Sequence, residues 1–333
     1  MTEFATVRPE PERDRWGRPY VLTPGGRRTA YTRCTTYVGA IEDCFNITRW
    51  KERHVAVGIA TQQHLRDTVA SLSLDNDDHK TPLNDLCEQA KEAAGASDAS
   101  RWGTYMHNVT EAHDRDLDPA AVSVPDLVRP RPRDAYVPDL AAYIEATKPL
   151  KHVQIEQFTV QDFLAIGGTP DRVVQVGRKR YIADLKTGDV QFGSLKIAAQ
   201  LAVYARSLPY DVTTDQRMDA HGAEIDKGIV IHLPAGTGKC TLHWVDLLAG
   251  WEAVKVCRTI RAQRSKRMRD LFSPWDEPIP SEPVQDGEVL IDLATAVANA
   301  TNPEAVRDVW RAHKDQWNDD LTSLAQARIA ALA

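Results

Sequence analysis

Residues 168–204 read GTPDRVVQVGRKRYIADLKTGDVQFGSLKIAAQLAVY. Short runs rich in Val, Ile and Tyr flank Gly177, which predicts a strand, a tight turn and a second strand. The first strand spans FLAIGGTPDRVVQV (163–176), interrupted at Gly167-Gly168, and the second spans 180–187. SLKIAAQLAVYARSL (194–208) then carries apolar residues at helical spacing. Asp184 and Lys186 stand two apart on a strand, so their side chains share a face. The hairpin-like return at Gly177 brings Asp171 into the neighbourhood of Asp184.

Two carboxylates about 4 Å apart repel by roughly 4 kcal/mol at an effective dielectric of about 20. A divalent cation removes that penalty. Hard oxygen ligands that leave positions for water and phosphate suit Mg²⁺ or Mn²⁺. Such a metal activates water and neutralises charge on a phosphodiester, and Lys186 orients the water or stabilises the charge that develops. Each residue taken alone has a blander reading. Asp after proline commonly starts a turn, and a Lys two residues from an Asp is ordinarily an exposed ion pair.

In combination these residues resemble the PD-(D/E)xK nuclease superfamily, and in particular its RecB-like branch. Pro170-Asp171 matches the PD element and Asp184-Leu185-Lys186 the (D/E)xK element. Gln200 to Tyr204 matches the Q-x-x-x-Y helix that follows the core in that branch. Gly103 to His107 matches its upstream G-x-x-x-H helix, and Glu156 an acidic residue on the strand before PD. The resemblance covers about residues 100–265 and extends more loosely to 30–60, where the chain is similar to phage-encoded members. It implies that His107, Asp171 and Asp184 bind the metal, with the Leu185 carbonyl as an extra ligand. It further implies that Lys186 and Glu156 serve catalysis, and that Gln200 and Tyr204 orient the site or touch DNA. Glu111, one helical turn beyond His107, either joins the site or faces solvent.

The 333 residues, 42% hydrophobic and 26% charged, fit an ordinary globular chain. No apolar run reaches the roughly 18 residues that a membrane helix needs, and the polar N-terminus lacks the apolar region of a secretory signal. The five cysteines (34, 44, 87, 240, 257) are scattered and odd in number, which points to reduced thiols and a cytoplasmic protein. Net charge of −6 argues mildly against nucleic-acid binding, but distribution outweighs the sum. Basic clusters occur at Arg178-Lys179-Arg180 and along Arg258, Arg261, Arg264, Lys266, Arg267 and Arg269.

Ala235 to Lys239 invites a phosphate-loop reading and fails it. Leu233 stands where the first Gly should be, and Cys240 replaces the Ser/Thr that contacts magnesium. Members related to CRISPR-associated exonucleases often hold an iron–sulfur cluster on one Cys before the core and three close together after it. Only Cys240 and Cys257 follow the core here, so no iron–sulfur cluster is expected.

Elsewhere helices are expected over 31–73, with Ile41, Phe45, Ile47, Trp50, Val55, Val57 and Ile59 on apolar faces, and over 81–95, 99–113 and 139–149. A strand is expected over 152–160, a hairpin over 228–233 and 240–247, and a long helix over 247–272. The expected fold is α/β: a restriction-endonuclease-like core with a central mixed sheet of four or five strands flanked by helices, an N-terminal helical region and a C-terminal helical hairpin. Its parts are an irregular segment (1–28), a nuclease domain (29–272, helical to 150 and sheet core from 151), a linker (273–288) and an appendage (289–333).

The resemblance implies an exonuclease acting on DNA ends in recombination, repair or phage DNA metabolism. Its partners would be DNA and a recombinase or single-strand annealing protein. An endonuclease of the same superfamily and a catalytically silent DNA-binding accessory protein are the alternatives.

Overall fold

The computed structural model describes residues 9–267, 271–272, 293–317 and 319–332. The linker expected at 273–288, and Arg269 of the basic run, lie outside the described residues.

In chain order, β1 (Tyr20–Leu22) and β2 (Arg28–Ala30) make a hairpin, and β3 (Thr32–Arg33) leads into α1 (Cys34–Val38). Helices α2 (Phe45–Thr61), α3 (Gln63–Ala70), α4 (Lys80–Ala93), α5 (Asp98–Asp114) and α6 (Val137–Thr147) follow. Next come β4 (Lys151–Ile155), β5 (Thr159–Gln161), β6 (Ile166–Gly168), β7 (Arg172–Val176), β8 (Lys179–Lys186) and α7 (Ser194–Ala205). Strands β9 (Leu208–Asp211), β10 (Gln216–Arg217), β11 (Lys227–His232) and β12 (Thr241–Asp246) precede α8 (Leu247–Arg264). Helices α9 (Leu293–Asn299), α10 (Pro303–Ala312) and α11 (Asp319–Leu332) close the chain.

The central sheet has five strands in the order β12-β11-β8-β7-β4. β8 and β11 run parallel and the other pairs antiparallel, so the sheet is mixed, as expected. Strand β8 is central because Tyr181 to Leu185 can be buried on both faces. One face (Val173, Ile182, Val230) packs on α1, α7 and α8. The other (Val174, Tyr181, Ala183, Leu185, Ile231) packs on α5 and α6. The result is a three-layer α/β/α core.

A second five-stranded sheet, β10-β9-β5-β6-β3, was not foreseen. It arises because two expected strands each break in two. The 152–160 run splits into β4 and β5 at Glu156, whose φ of 53° lies in the left-handed region. The 163–176 run splits into β6 and β7 around Thr169-Pro170. At both breaks the chain leaves one sheet for the other. Both breaks fall where the alternation slips, at the consecutive polar residues Glu156-Gln157 and after Gly167-Gly168, but a slip in pattern does not say that the chain changes sheets.

The N-terminal helices also depart from expectation. Phe45, Ile47 and Val57 are exposed; Val55 and Ile59 pack against Leu65, Leu86 and Ala90, and Ile41 packs against the core beneath α7 and α8. α8 ends at Arg264, earlier than the expected helix to 272. Among the described residues the appendage holds three α-helices, α9 to α11, where a hairpin was expected, packed through Val297, Val306, Leu321 and Ala325.

Helices α7 and α8 cross closely because Gly250 has no side chain. A Cβ there would lie 2.3 Å from the Ala198 carbonyl oxygen. Gly250→Ala must therefore push two backbones apart, and we expect a loss of about 1–3 kcal/mol. Urea unfolding measures it; an unchanged midpoint would contradict this packing.

Candidate active site

The site forms where three neighbouring strands of the central sheet end together. The register Arg172↔Ala183 and Ile155↔Arg172 carries Glu156, Asp171 and Asp184 side by side, one step beyond those pairs. The Glu156 backbone N–H donates to the Asp171 carbonyl at 2.8 Å. The left-handed turn at Glu156 is a strained conformation for a residue with a Cβ, of the kind that persists where surrounding structure enforces it.

Helix α5 supplies the fourth member. Gly103, His107, Thr110 and Asp114 recur at helical spacing along it. A Cβ at Gly103 would stand 2.8 Å from the Thr187 hydroxyl, so glycine lets the helix approach the end of β8. His107 Nδ1 then lies 3.4 Å from Asp171 Oδ2. That same oxygen accepts the Leu185 N–H at 2.7 Å, which aims the carboxylate.

Ligand atoms of His107, Glu156 and Asp171 all lie within 4.8 Å of one another. The expected ligands were His107, Asp171, Asp184 and the Leu185 carbonyl. Two of these, His107 and Asp171, fall in the grouping together with Glu156, while Asp184 faces Lys186. Lys186 Nζ stands 2.5 Å from Asp184 Oδ2, in ion contact. The angles there miss hydrogen-bond geometry, which leaves that buried oxygen without a hydrogen-bond partner among the described residues. Leu185 itself is fully buried.

Charge in this corner is confined. Burial, and then the Asp171 charge, push the Asp184 carboxyl up to about 6, against the pull of Lys186 and His107. Burial works to lower the Lys186 ammonium, but the Asp184 and Asp171 charges outweigh it and hold it above its ordinary value. One imidazole with two carboxylates, beside a third carboxylate with an unsatisfied oxygen, is a donor set that fits a divalent cation.

Gln200 and Tyr204 sit on the buried face of α7, with Gln200 Nε2 donating to the Tyr204 hydroxyl at 3.4 Å. A Cβ at Gly168 would meet that hydroxyl at 2.9 Å and the Cys34 Cβ at 3.1 Å. These two residues thus buttress the bend that precedes Asp171. Burial raises the Tyr204 phenol well above its usual range, so it stays protonated.

Several supporting residues had no signal in the sequence reading. Arg172, fully buried, donates from Nε to Asp114 Oδ2 at 2.7 Å and from Nη2 to the Thr110 hydroxyl at 3.0 Å. Tyr143 OH donates to the same Asp114 oxygen at 2.7 Å. Arg115 pairs with Glu111 at 2.8 Å and donates to the Ile155 carbonyl, also at 2.8 Å. Glu111 is therefore a buried partner of Arg115, which fixes the backbone beside Glu156. The position of Arg172 directly after Pro-Asp, and of Asp114 two turns beyond His107, were the available hints.

Residues 84–209 match the family model of the PD-(D/E)XK nuclease superfamily. The match supports that superfamily. It spans α5, the strands that carry Glu156, Asp171 and Asp184, and the Gln200 helix. Nucleases of the superfamily typically use divalent metals, in keeping with the donor set described above. No curated protein matches the chain. No helix among the described residues is long and apolar enough to cross a membrane.

Proposed function

We propose that the protein is a DNA nuclease dependent on Mg²⁺ or Mn²⁺ that acts as an exonuclease on DNA ends. The observation that carries this reading is the convergence of His107, Glu156 and Asp171 within 4.8 Å beside the Asp184–Lys186 pair. His107, Glu156 and Asp171 would hold the cation, with the Asp184 carboxylate beside them adding negative charge and holding Lys186. A bound divalent cation supplies positive charge to the phosphodiester and acidifies a water. Lys186, kept charged by its two carboxylates, holds the attacking water in line and meets the charge that develops on the phosphate. The Leu185 N–H fixes Asp171, and Gln200 and Tyr204 fix the bend that bears it. The RecB-like resemblance supports the exonuclease mode and a role in recombination, repair or phage DNA metabolism, with a recombinase or annealing protein as partner. A cytoplasmic location follows the cysteine usage.

Linear end-labelled DNA and covalently closed circular DNA separate the modes. An exonuclease degrades the first and spares the second. Cleavage of intact circles at a comparable rate would establish an endonuclease instead.

Metal affinity should depend on pH. The folded carboxyl of Asp184 at about 6 stands above the roughly 3.9 of an exposed Asp. Without metal, its contribution to stability is thus complete below about pH 4 and is lost as pH rises through about 6. Metal binding reverses this by favouring the charged form, and must displace a proton at lower pH. We expect Mn²⁺ affinity, followed by electron paramagnetic resonance, to fall about tenfold from pH 7 to pH 5. Affinity independent of pH would place Asp184 outside the metal's reach.

A further inference from the structure

A cavity of about 670 Å³ opens beside the cluster, with His107 and Glu156 among the residues that line it. That volume is far more than a cation needs and is of the size that encloses a small-molecule group. Its lining also includes Arg131, Trp102, Ser100, Thr104 and Asn108. Resting on the nuclease reading, we propose that this cavity receives the terminal nucleotide of a DNA strand and that Arg131 binds its terminal phosphomonoester.

Arg131 is built to meet an oxyanion. Its guanidinium lies 4.6 Å over the ring of Trp102, which is fully buried. Its Nη1 is 3.5 Å from where a Cβ of Gly236 would stand, which places the guanidinium beside the 235–239 loop at ordinary contact distance. Among the described residues no carboxylate pairs with it. A guanidinium placed by stacking keeps its planar fork of donors free for a phosphate.

Two buried or half-buried carboxylates that bond to these loops, Asp98 and Asp139, are occupied by backbone N–H groups. Asp98 accepts the backbone N–H groups of Val128 and Arg129 at 2.9 and 3.0 Å. Asp139 accepts those of Gly236 and Gly238 at 2.6 and 2.8 Å. These bonds pin the two loops that bring Arg131 and Ala235 to the cavity. Glu156, in the cluster, is the one carboxylate among the lining residues.

The remaining lining suits phosphate as well. Ala99 and Ser100 belong to the first turn of the 17-residue helix α5. Its N-terminal end carries partial positive charge. Thr104 and Asn108 follow one another up the same helix face, offering a hydroxyl and an amide, while the Ser100 hydroxyl donates to the Ser97 carbonyl at 2.9 Å. A strand with its scissile phosphate at the cluster has room here for the nucleotide beyond it. A terminal phosphomonoester brings the extra negative charge that Arg131 and the helix end favour.

The test is fluorescence anisotropy with tetrathymidylate bearing a 5′-phosphate, a 3′-phosphate or no terminal phosphate, labelled at the opposite end, in EDTA. One of the two phosphorylated probes should bind about tenfold tighter than the unphosphorylated one, and which one gives the polarity. Arg131→Ala should erase that preference and Arg131→Lys should keep part of it, with thermal melting confirming that both variants fold. Equal binding of all three probes by the wild type, or a preference that survives Arg131→Ala, would overturn the proposal. A preference without any DNA cleavage in Mg²⁺ would sink the nuclease reading and leave the phosphate site standing. Cleavage without a preference would do the reverse.

Discussion

Asp184→Asn should lower DNA cleavage by about a thousandfold or more while leaving the fold intact. The amide keeps the shape of the carboxylate but removes the charge that faces Lys186 at 2.5 Å. Two consequences follow. Lys186 loses the partner that positions it, and the cluster loses an anionic neighbour for the cation. Stability should move the other way. Burial and the Asp171 charge disfavour the Asp184 carboxylate, so in EDTA at pH 7.5 the variant should melt no lower than the wild type. That opposition between activity and stability marks a functional charge held against its local preference. A variant that loses activity by unfolding would show a lower melting temperature instead.

Arg172→Met should cost about 3–5 kcal/mol, because it leaves a buried charge unpaired. The Asp114 side chain is 2% exposed and that of Arg172 is 0% exposed, with 2.7 Å between Nε and Oδ2. Tyr143 still donates to Asp114, but a hydroxyl cannot replace a guanidinium. His152 Nε2, 3.4 Å from Asp114 Oδ1, offers little relief. Burial lowers the His152 imidazole below its ordinary value and favours its neutral form. Replacing both partners, as Arg172→Met with Asp114→Leu, should restore much of the loss, and a double-mutant cycle in urea measures the coupling. Additive losses would show that the two residues do not depend on each other. Since Asp114 ends the helix that bears His107, the single variant should also weaken metal binding.

The sequence shows the parts of the site that obey local rules. Asp184 and Lys186 share a face because strands alternate, and Asp171 lies opposite Asp184 because a hairpin returns at Gly177. The mixed five-stranded sheet follows from the same runs. What escapes is whatever depends on distant contacts. Asp114 and Arg172 are 58 positions apart, and no period links a helix residue to a strand residue across a core. Glu156 was singled out, yet its left-handed backbone is imposed by the passage of the chain between two sheets. The same passage divides both expected strands. For α2 the apolar pattern misleads, since Phe45 and Val57 stay exposed.

The central claim is that this constellation hydrolyses DNA with a divalent metal. The most direct measurement incubates the purified protein with end-labelled linear DNA in Mg²⁺ or Mn²⁺ and in EDTA, with Lys186→Ala alongside. The account predicts degradation with metal, none in EDTA, and a loss of about a hundredfold or more for the variant. Intact DNA under every condition, or cleavage indifferent to EDTA and to the loss of Lys186, would contradict it.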